Sequence, residues 1–492
     1  MNQVLLYDNS SFVPQDISNL LGVSRFSEIY YRKRSLDRWV FDICVAAGIQ
    51  FIELSGNQKT RETLKQINMF GSKNTVVIYL PSFIAFGCSE EEASIFLRKL
   101  SLTRASLAVF SDPSLVSVDR LQAAVMVGAL AQSLLQAASE GENLSDFLSG
   151  SLDKMHPLKR DVVMIDMRNP LHFTEYLTSN FDVRFFNSVQ TLNDFVLIKR
   201  SSDIDKLRQE YQYYSLLSSD LQMFFIQPYD FIVEQSCASY KMERLFVPDM
   251  ALQWIHGSLD EQSFKLFLDK VFYYITARPL KSVSVSQSLM VHQKTYRDKV
   301  NERLAQLKTK PDYKKIEPYL DANFLGIDAL FKRYFGLLDK VTAQEIGREL
   351  RIGHGDLCFS NILYSKTTGL MRFIDPRGAD NHDALYMSPY YDLAKLSHSI
   401  IGNYDFINYG LYQLTVDADL KTNLKIERGA PSWARPMFEK RLRKAGFSIA
   451  LIRLFEASLF LSMVPLHIDS PKKVLAFLIN ASEILRELEH ND

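Results

Sequence analysis

The spacing of apolar and polar positions changes character twice along the chain. Up to about residue 180, short apolar runs alternate with longer stretches of helical period. Val4–Tyr7, Phe51–Leu54, Thr75–Leu80, Ser106–Phe110 and Val162–Ile165 read as strands, and Leu36–Ala47 and Glu91–Leu100 as amphipathic helices. Alternation of this kind predicts an α/β domain, its mostly parallel sheet covered by helices. From 181 to 250 strands dominate. Val183–Asn187 and Phe195–Lys199 read as neighbours, and Phe231–Glu234 and Ala238–Leu245 as two more. Between the pairs lies a helix with Ile204, Leu207, Tyr211 and Tyr214 on one face and Ser202 or Asp203 placed to cap it. From 251 to 492 helices prevail, interrupted by a strand–turn–strand pattern at Ile362–Ile374. The expected organisation is an α/β domain over 1–180, then an α+β domain with a small lobe, 181–250, and a large helical lobe, 251–492.

Composition narrows the class. A chain of 492 residues, 47% hydrophobic and 23% charged, has enough apolar surface for several cores. Lys plus Arg and Asp plus Glu both number 57, a balance that weighs against nucleic acid as main partner. The longest apolar stretch near the end, Leu459–Ile468, is too short to span a bilayer and holds a proline and a histidine. The first residues, MNQVLLYDNSS, lack a basic segment followed by an apolar one. The four cysteines (44, 88, 237 and 358) form no CxxC pair, which disfavours a disulfide framework or a zinc site. These features lead us to expect a cytoplasmic protein without membrane insertion.

The chemistry concentrates in His354-Gly-Asp356-Leu-Cys-Phe-Ser-Asn361-Ile-Leu and, fourteen residues past Asn361, Asp375-Pro-Arg377-Gly378. An aspartate and an asparagine five apart, then an aspartate after an apolar strand, is the spacing of a kinase catalytic loop and its metal-binding segment. Phosphoryl transfer needs an acceptor oxygen aimed in line and charge neutralised on the phosphates. Asp356 would orient the acceptor hydroxyl, with His354 bracing the loop beside it. Asn361 and Asp375 offer hard oxygens to Mg²⁺. Val196-Leu-Ile-Lys199 matches the strand that carries the phosphate-binding lysine, and Glu210 on the next helix is its expected partner, ahead of Asp203 and Asp205. Tyr240–Leu245 reads as the hinge, its backbone near Met242 and Arg244 reading the adenine edge. The segment Ser188–Asn193 stands where a phosphate-covering loop is expected but has no glycine, which leaves Ser188 and Thr191 as candidate donors. Arg377 has two readings, a contact to a phosphate or anionic substrate and an ion pair with Asp380 or Asp383. Trp254, His292, Tyr390, Tyr391 and Trp433 are acceptor-pocket candidates by residue type.

HGDLCFSNIL and FIDPRG resemble the signature of the aminoglycoside phosphotransferase and choline kinase family, and Asp392-Leu-Ala-Lys395 is similar to its later D-L-A segment. The resemblance implies a protein-kinase-like phosphotransferase that uses ATP, with GTP as the alternative, and Mg²⁺ to phosphorylate a hydroxyl of a sugar, polyol or amino-alcohol. A nucleotide-binding pseudokinase that serves as a regulatory scaffold remains open. Residues 1–180 resemble sugar-phosphate nucleotidyltransferases more loosely, through Ser27–Leu54 and Ile165–Tyr176. Their glycine-rich triphosphate loop is replaced by Tyr7–Pro14, and Ser82 stands where a metal-binding acid would help, with Asp112 as a stand-in. That implies a degenerate relative, with a bifunctional enzyme as the alternative, and the fusion points by analogy to bacterial surface polysaccharide synthesis.

Overall fold

In the computed structural model, residues 3–31, 33–54, 58–70, 75–178, 187–193, 195–324, 326–341, 343–417 and 421–490 are described. The chain divides into two compact units, Met1–Asn180 and Phe181–Asp492.

The first unit is built on strands β1 (Gln3–Asp8), β2 (Gln50–Leu54), β3 (Val76–Pro81), β4 (Leu107–Phe110), β5 (Ala123–Val127) and β6 (His156–Lys159), in the order β2-β1-β3-β5-β4-β6. β1 runs parallel to β2 and β3, and β4 to β6. β5 runs against both its neighbours, so the sheet is mixed rather than mostly parallel. The antiparallel strand is Ala123–Val127, a short apolar run that turns at Gly128, φ +60°, directly into helix α3 (Gly128–Glu140). Helices α1 (Leu36–Ala47) and α2 (Glu90–Ser101) cover one face; Trp39, Ile43, Phe96 and Leu97 pack there on Leu5, Val76 and Ile78. α2 starts at a capping box: Ser89 accepts from Glu92 N–H while the Glu92 carboxylate accepts from Ser89 N–H. α3 covers the other face through Ala131, Leu134 and Leu135.

The second unit opens with an antiparallel sheet. Strands β7 (Asn187–Asn193), β8 (Val196–Ser201), β9 (Pro228–Val233) and β10 (Ala238–Glu243) lie in the order β7-β8-β10-β9. The expected strand Val183–Asn187 lies largely outside the described residues. The expected loop Ser188–Asn193 is strand, because alternate residues of β7 pair along β8, Ser188 with Arg200 and Gln190 with Ile198. Helix α4 (Ile204–Leu216) follows β8, with Asp203 as its cap, accepting from Lys206 N–H at 3.1 Å. Leu207 of α4 packs on Leu197, Tyr240 and Met242 of the sheet.

The helical part contains α5 (Glu261–Ala277), α6 (Lys299–Thr309), α7 (Tyr390–Ile400), α8 (Ile449–Met463) and α9 (Pro471–His490). The short hairpin β11 (Ile362–Tyr364) and β12 (Met371–Phe373) carries the catalytic-loop sequence on one side and Asp375 on the other. Ile449–Leu466 has the length and mean hydropathy, 1.8, of a membrane span, but 78% of it is buried inside this unit and it carries the Arg453–Glu456 ion pair. It is a core helix that packs against α7 and α9.

Candidate active site

Lys199 sits in the middle of the sequence-predicted constellation. It lies near the end of β8, 2% exposed, and its Nζ donates to Glu210 Oε2 at 2.6 Å and to Asp375 Oδ1 at 2.8 Å. Burial opposes its charge, but the Asp375 and Glu210 carboxylates outweigh it and hold the ammonium well above its ordinary value. Burial pushes Glu210 up, and Lys199 offsets only part of that. The helix that brings Glu210 to the strand is itself fastened to the Asp375 segment: Ala379 N–H donates to Gln209 O at 3.1 Å. Gly378 makes this approach feasible. Its φ is +90°, and a Cβ there would lie 2.8 Å from the Gln209 and Glu210 backbone. Asp375 is itself left-handed, at φ +55°, an uncommon state for a non-glycine residue that turns the chain immediately after the strand.

The loop from His354 to Asn361 is braced from behind. His354 is fully buried; its Nε2 pairs with Ile374 O at 2.9 Å and its Nδ1 accepts from Asp356 N–H at 3.1 Å. These partners assign the neutral Nε2–H tautomer, and burial lowers the pKa in the same sense. With both nitrogens engaged, His354 is a brace and not a proton carrier. Asp392, at the start of α7, accepts from His354 N–H and Gly355 N–H, each at 2.9 Å, and from Arg278 Nη1 at 2.7 Å. Arg278 carries no motif and was not foreseen. Phe225 stacks on His354 at 5.8 Å and meets Phe373 edge-on at 5.5 Å, while Tyr213 of α4 donates to Gly353 O at 3.0 Å. Aromatic packing thus ties the Glu210 helix to the loop.

Asn361 Nδ2 donates to Asp356 O at 2.8 Å, which commits the amide nitrogen and leaves the carboxamide oxygen for a cation. Ile374 N–H donates to Asn361 O at 3.1 Å, so Asn361 and Asp375, the residues expected to bind Mg²⁺, are joined through one backbone bond and one residue. The Asp375 side chain is half exposed. Among the described residues, no cluster of three or more His, Cys, Asp or Glu could hold a metal on its own. One carboxylate and one amide oxygen suit Mg²⁺, which takes few protein ligands and completes its shell with phosphates and water. The Asp356 carboxylate meets Lys395 Nζ of α7 at 2.8 Å, another partner not foreseen.

The expected hinge residues lie at the end of β10. Met242 lies between β8 and β9, opposite Leu197 and Pro228, and borders a cavity of about 30 Å³ beside Glu210 and Asp375. The Arg244 N–H is bonded to Phe195 O at 2.8 Å, and its guanidinium lies over Phe246. Sheet pairing thus engages Met242 and the Arg244 N–H, and the chain runs free of strand over 245–247. Ser188 is opposite Arg200 on β7, and its side chain lies outside the described residues. Arg377 is exposed, and its N–H donates to His354 O at 2.8 Å. The ion pair suggested for it is not formed: Asp383 is bound by Lys281 at 2.8 Å, and Asp380 accepts from Asn381. Trp254 packs on Phe264 and the half-buried Trp433, and buried His292 bonds Ser288 O and Ser388. In the first unit, Asp112 is held below its ordinary value by Ser114, as a turn residue would be, and Ser82 is fully buried.

No protein-family model and no curated protein matches the sequence. Among solved structures, a thermostable mutant of aminoglycoside phosphotransferase APH(4)-Ia aligns over 61% of this chain and 89% of its own, at 12% identity and a TM-score of 0.35. APH(3'')-Id from Streptomyces rimosus ATCC10970, in complex with ADP and streptomycin, aligns over 60% and 98%, at 14% identity and 0.34. Aminoglycoside-3'-phosphotransferase of type VIII aligns over 57% and 94%, at 12% identity and 0.31. Likeness at this level carries no functional argument, which rests instead on the geometry above.

Proposed function

We propose that residues 181–492 form a kinase-type phosphotransferase that moves the γ-phosphoryl group of ATP to a hydroxyl of a small molecule. The observation that carries this reading is the convergence on one point of Lys199, Glu210 and Asp375, beside a loop that presents Asp356 and Asn361. Chance spacing in a sequence does not bring a strand lysine, a helix carboxylate and a post-strand aspartate within hydrogen-bond reach.

Lys199, positioned by Glu210, binds the phosphates. Asp375 and the Asn361 carboxamide oxygen would hold Mg²⁺, which would neutralise charge on the phosphate oxygens. The acceptor oxygen bonds to the γ-phosphorus as the bond to the β–γ bridging oxygen breaks. ADP leaves, and the hydroxyl proton passes to Asp356. The adenine edge is read by the backbone at 245–247, where the chain leaves the sheet. For residues 1–180 we retain the reading of a degenerate nucleotidyltransferase relative, supported by the sequence resemblance and by the parallel pairing of β1, β2 and β3. The test is Mg²⁺-dependent ADP release over a panel of hydroxyl acceptors, with Asp356→Asn as the control.

A further inference from the structure

The charges around Asp356 exceed what phosphoryl transfer alone requires. Lys395 reaches the Asp356 carboxylate from α7, with its side chain only 14% exposed. One turn earlier on the same helix face, the Tyr391 hydroxyl accepts from Lys299 Nζ of α6 at 3.0 Å. Burial alone would push the Tyr391 phenol up, yet Lys395 and Lys299 together hold it below its ordinary value. The two ammonium groups and the phenol therefore form one continuous patch ending on Asp356. Arg377 is a third cation. Its side chain runs along the residue preceding Asp356, so closely that a Cβ on Gly355 would lie 2.5 Å from Arg377 Cβ. It is exposed, and among the described residues no acid pairs with it.

Asp356 offsets Lys395, with which it pairs, while two further acids on neighbouring elements are engaged elsewhere. Asp249 caps the helix Met250–His256, accepting from Leu252 N–H at 2.7 Å. Asp405 is fully buried and is joined to Ser399. Burial pushes both up to about 7, so neither presents a full negative charge near neutrality. Three cations from three separate segments thus lie on or beside the loop that presents Asp356: Lys395 on its carboxylate, Arg377 against Gly355, and Lys299 one step removed through the Tyr391 hydroxyl.

We infer that the acceptor is an anion, a hydroxyl compound that bears a phosphate or a carboxylate, and that Lys299, Lys395 and Arg377 hold its charged group while Asp356 orients its hydroxyl. The inference rests on the phosphotransferase reading and narrows it: a polyamine or amino-alcohol acceptor would meet repulsion at this mouth, and a neutral sugar would leave the cations unused.

The test uses the full-length protein with ATP and Mg²⁺ and reads ADP release for matched acceptors: glucose, glucose 1-phosphate, glucose 6-phosphate, glucuronate and glucosamine. Calorimetric titration of the same five compounds into the ADP-loaded protein runs beside it. The expected result is that the phosphates or the uronate bind and turn over at least about tenfold better than glucose, and glucosamine worst. The phosphate and carboxylate arms separate the two sources of charge. Lys299→Met should raise KM about tenfold more for the anionic acceptors than for glucose, and Lys299→Arg should restore it, which a merely structural lysine would not do. Preference for glucose or glucosamine, or no binding of any anionic compound, would overturn the inference. Full ADP release by Asp356→Asn would instead remove the phosphotransferase reading beneath it.

Discussion

Replacing Asp392 with alanine should destabilise the second unit more than any change at Asn361 or Asp375, the proposed metal ligands. The Asp392 and Arg278 side chains are each 1% exposed and meet at 2.7 Å. The same carboxylate takes the two loop N–H groups of His354 and Gly355. Its removal leaves a guanidinium buried without its counter-charge, at a cost of about 3–5 kcal/mol. The stranded N–H groups add to this, though not additively. For a unit of this size, about 2 °C is lost per kcal/mol, so the melting temperature should fall by roughly 6–10 °C. Trp254 and Trp433, in contact within this unit, report its unfolding by fluorescence, and Trp39 reports the first unit as an internal reference. Arg278→Met combined with Asp392→Ala should cost less than Asp392→Ala alone, because no charge is then left unpaired. A single variant within about 1 kcal/mol of wild type, or a double variant as costly as the two singles summed, would refute the account of how the loop is held.

Other consequences follow from the same geometry. Gly355→Ala should lower turnover at least about tenfold, because φ is +79° and the new Cβ would meet Arg377 and Met387; steady-state ADP release checks it. Lys199→Met should reduce kcat/KM for ATP by about 10²–10³, since it removes the phosphate clamp, whereas Lys241→Met, at an exposed pair with Asp230 in the same sheet, should not. Asp405→Asn should stabilise the protein in a pH-dependent way. Burial raises this carboxyl to about 7 in the fold from an ordinary 3.8, and one of its oxygens has no partner among the described residues. Ionising it therefore costs stability progressively as pH rises through that window, in full above about 7. Melting curves should show the largest gain at pH 8 and a vanishing one near pH 4.

The parts of this architecture visible in the sequence are those whose signal is local. Lys199 and Glu210 are eleven residues apart on a strand and the helix after it, and apolar periodicity set both faces. The His354–Asn361 loop and Asp375 were readable from spacing alone. Arg278 and Lys395 were not, because each pairs with an aspartate, Asp392 and Asp356, brought near it only by tertiary folding, across 114 and 39 positions of chain respectively. Asp392, by contrast, could be placed at a helix start as a structural residue. The end of β10 was less legible because a strand's end depends on its neighbours: Arg244 N–H pairs with Phe195 O, a bond that no periodicity reveals. Strand β5 was hidden for a related reason, since Ala123–Val127 has the composition of the helix it feeds.

The central claim is that Asp356, Asn361, Asp375 and Lys199 form one phosphotransferase centre, and its most direct test is ADP release from ATP by the full chain with Mg²⁺ over an acceptor panel, with Asp356→Asn measured in parallel. The account predicts release that depends on both acceptor and Mg²⁺ and falls at least about 10²-fold in the variant. Equal release by wild type and variant would contradict it.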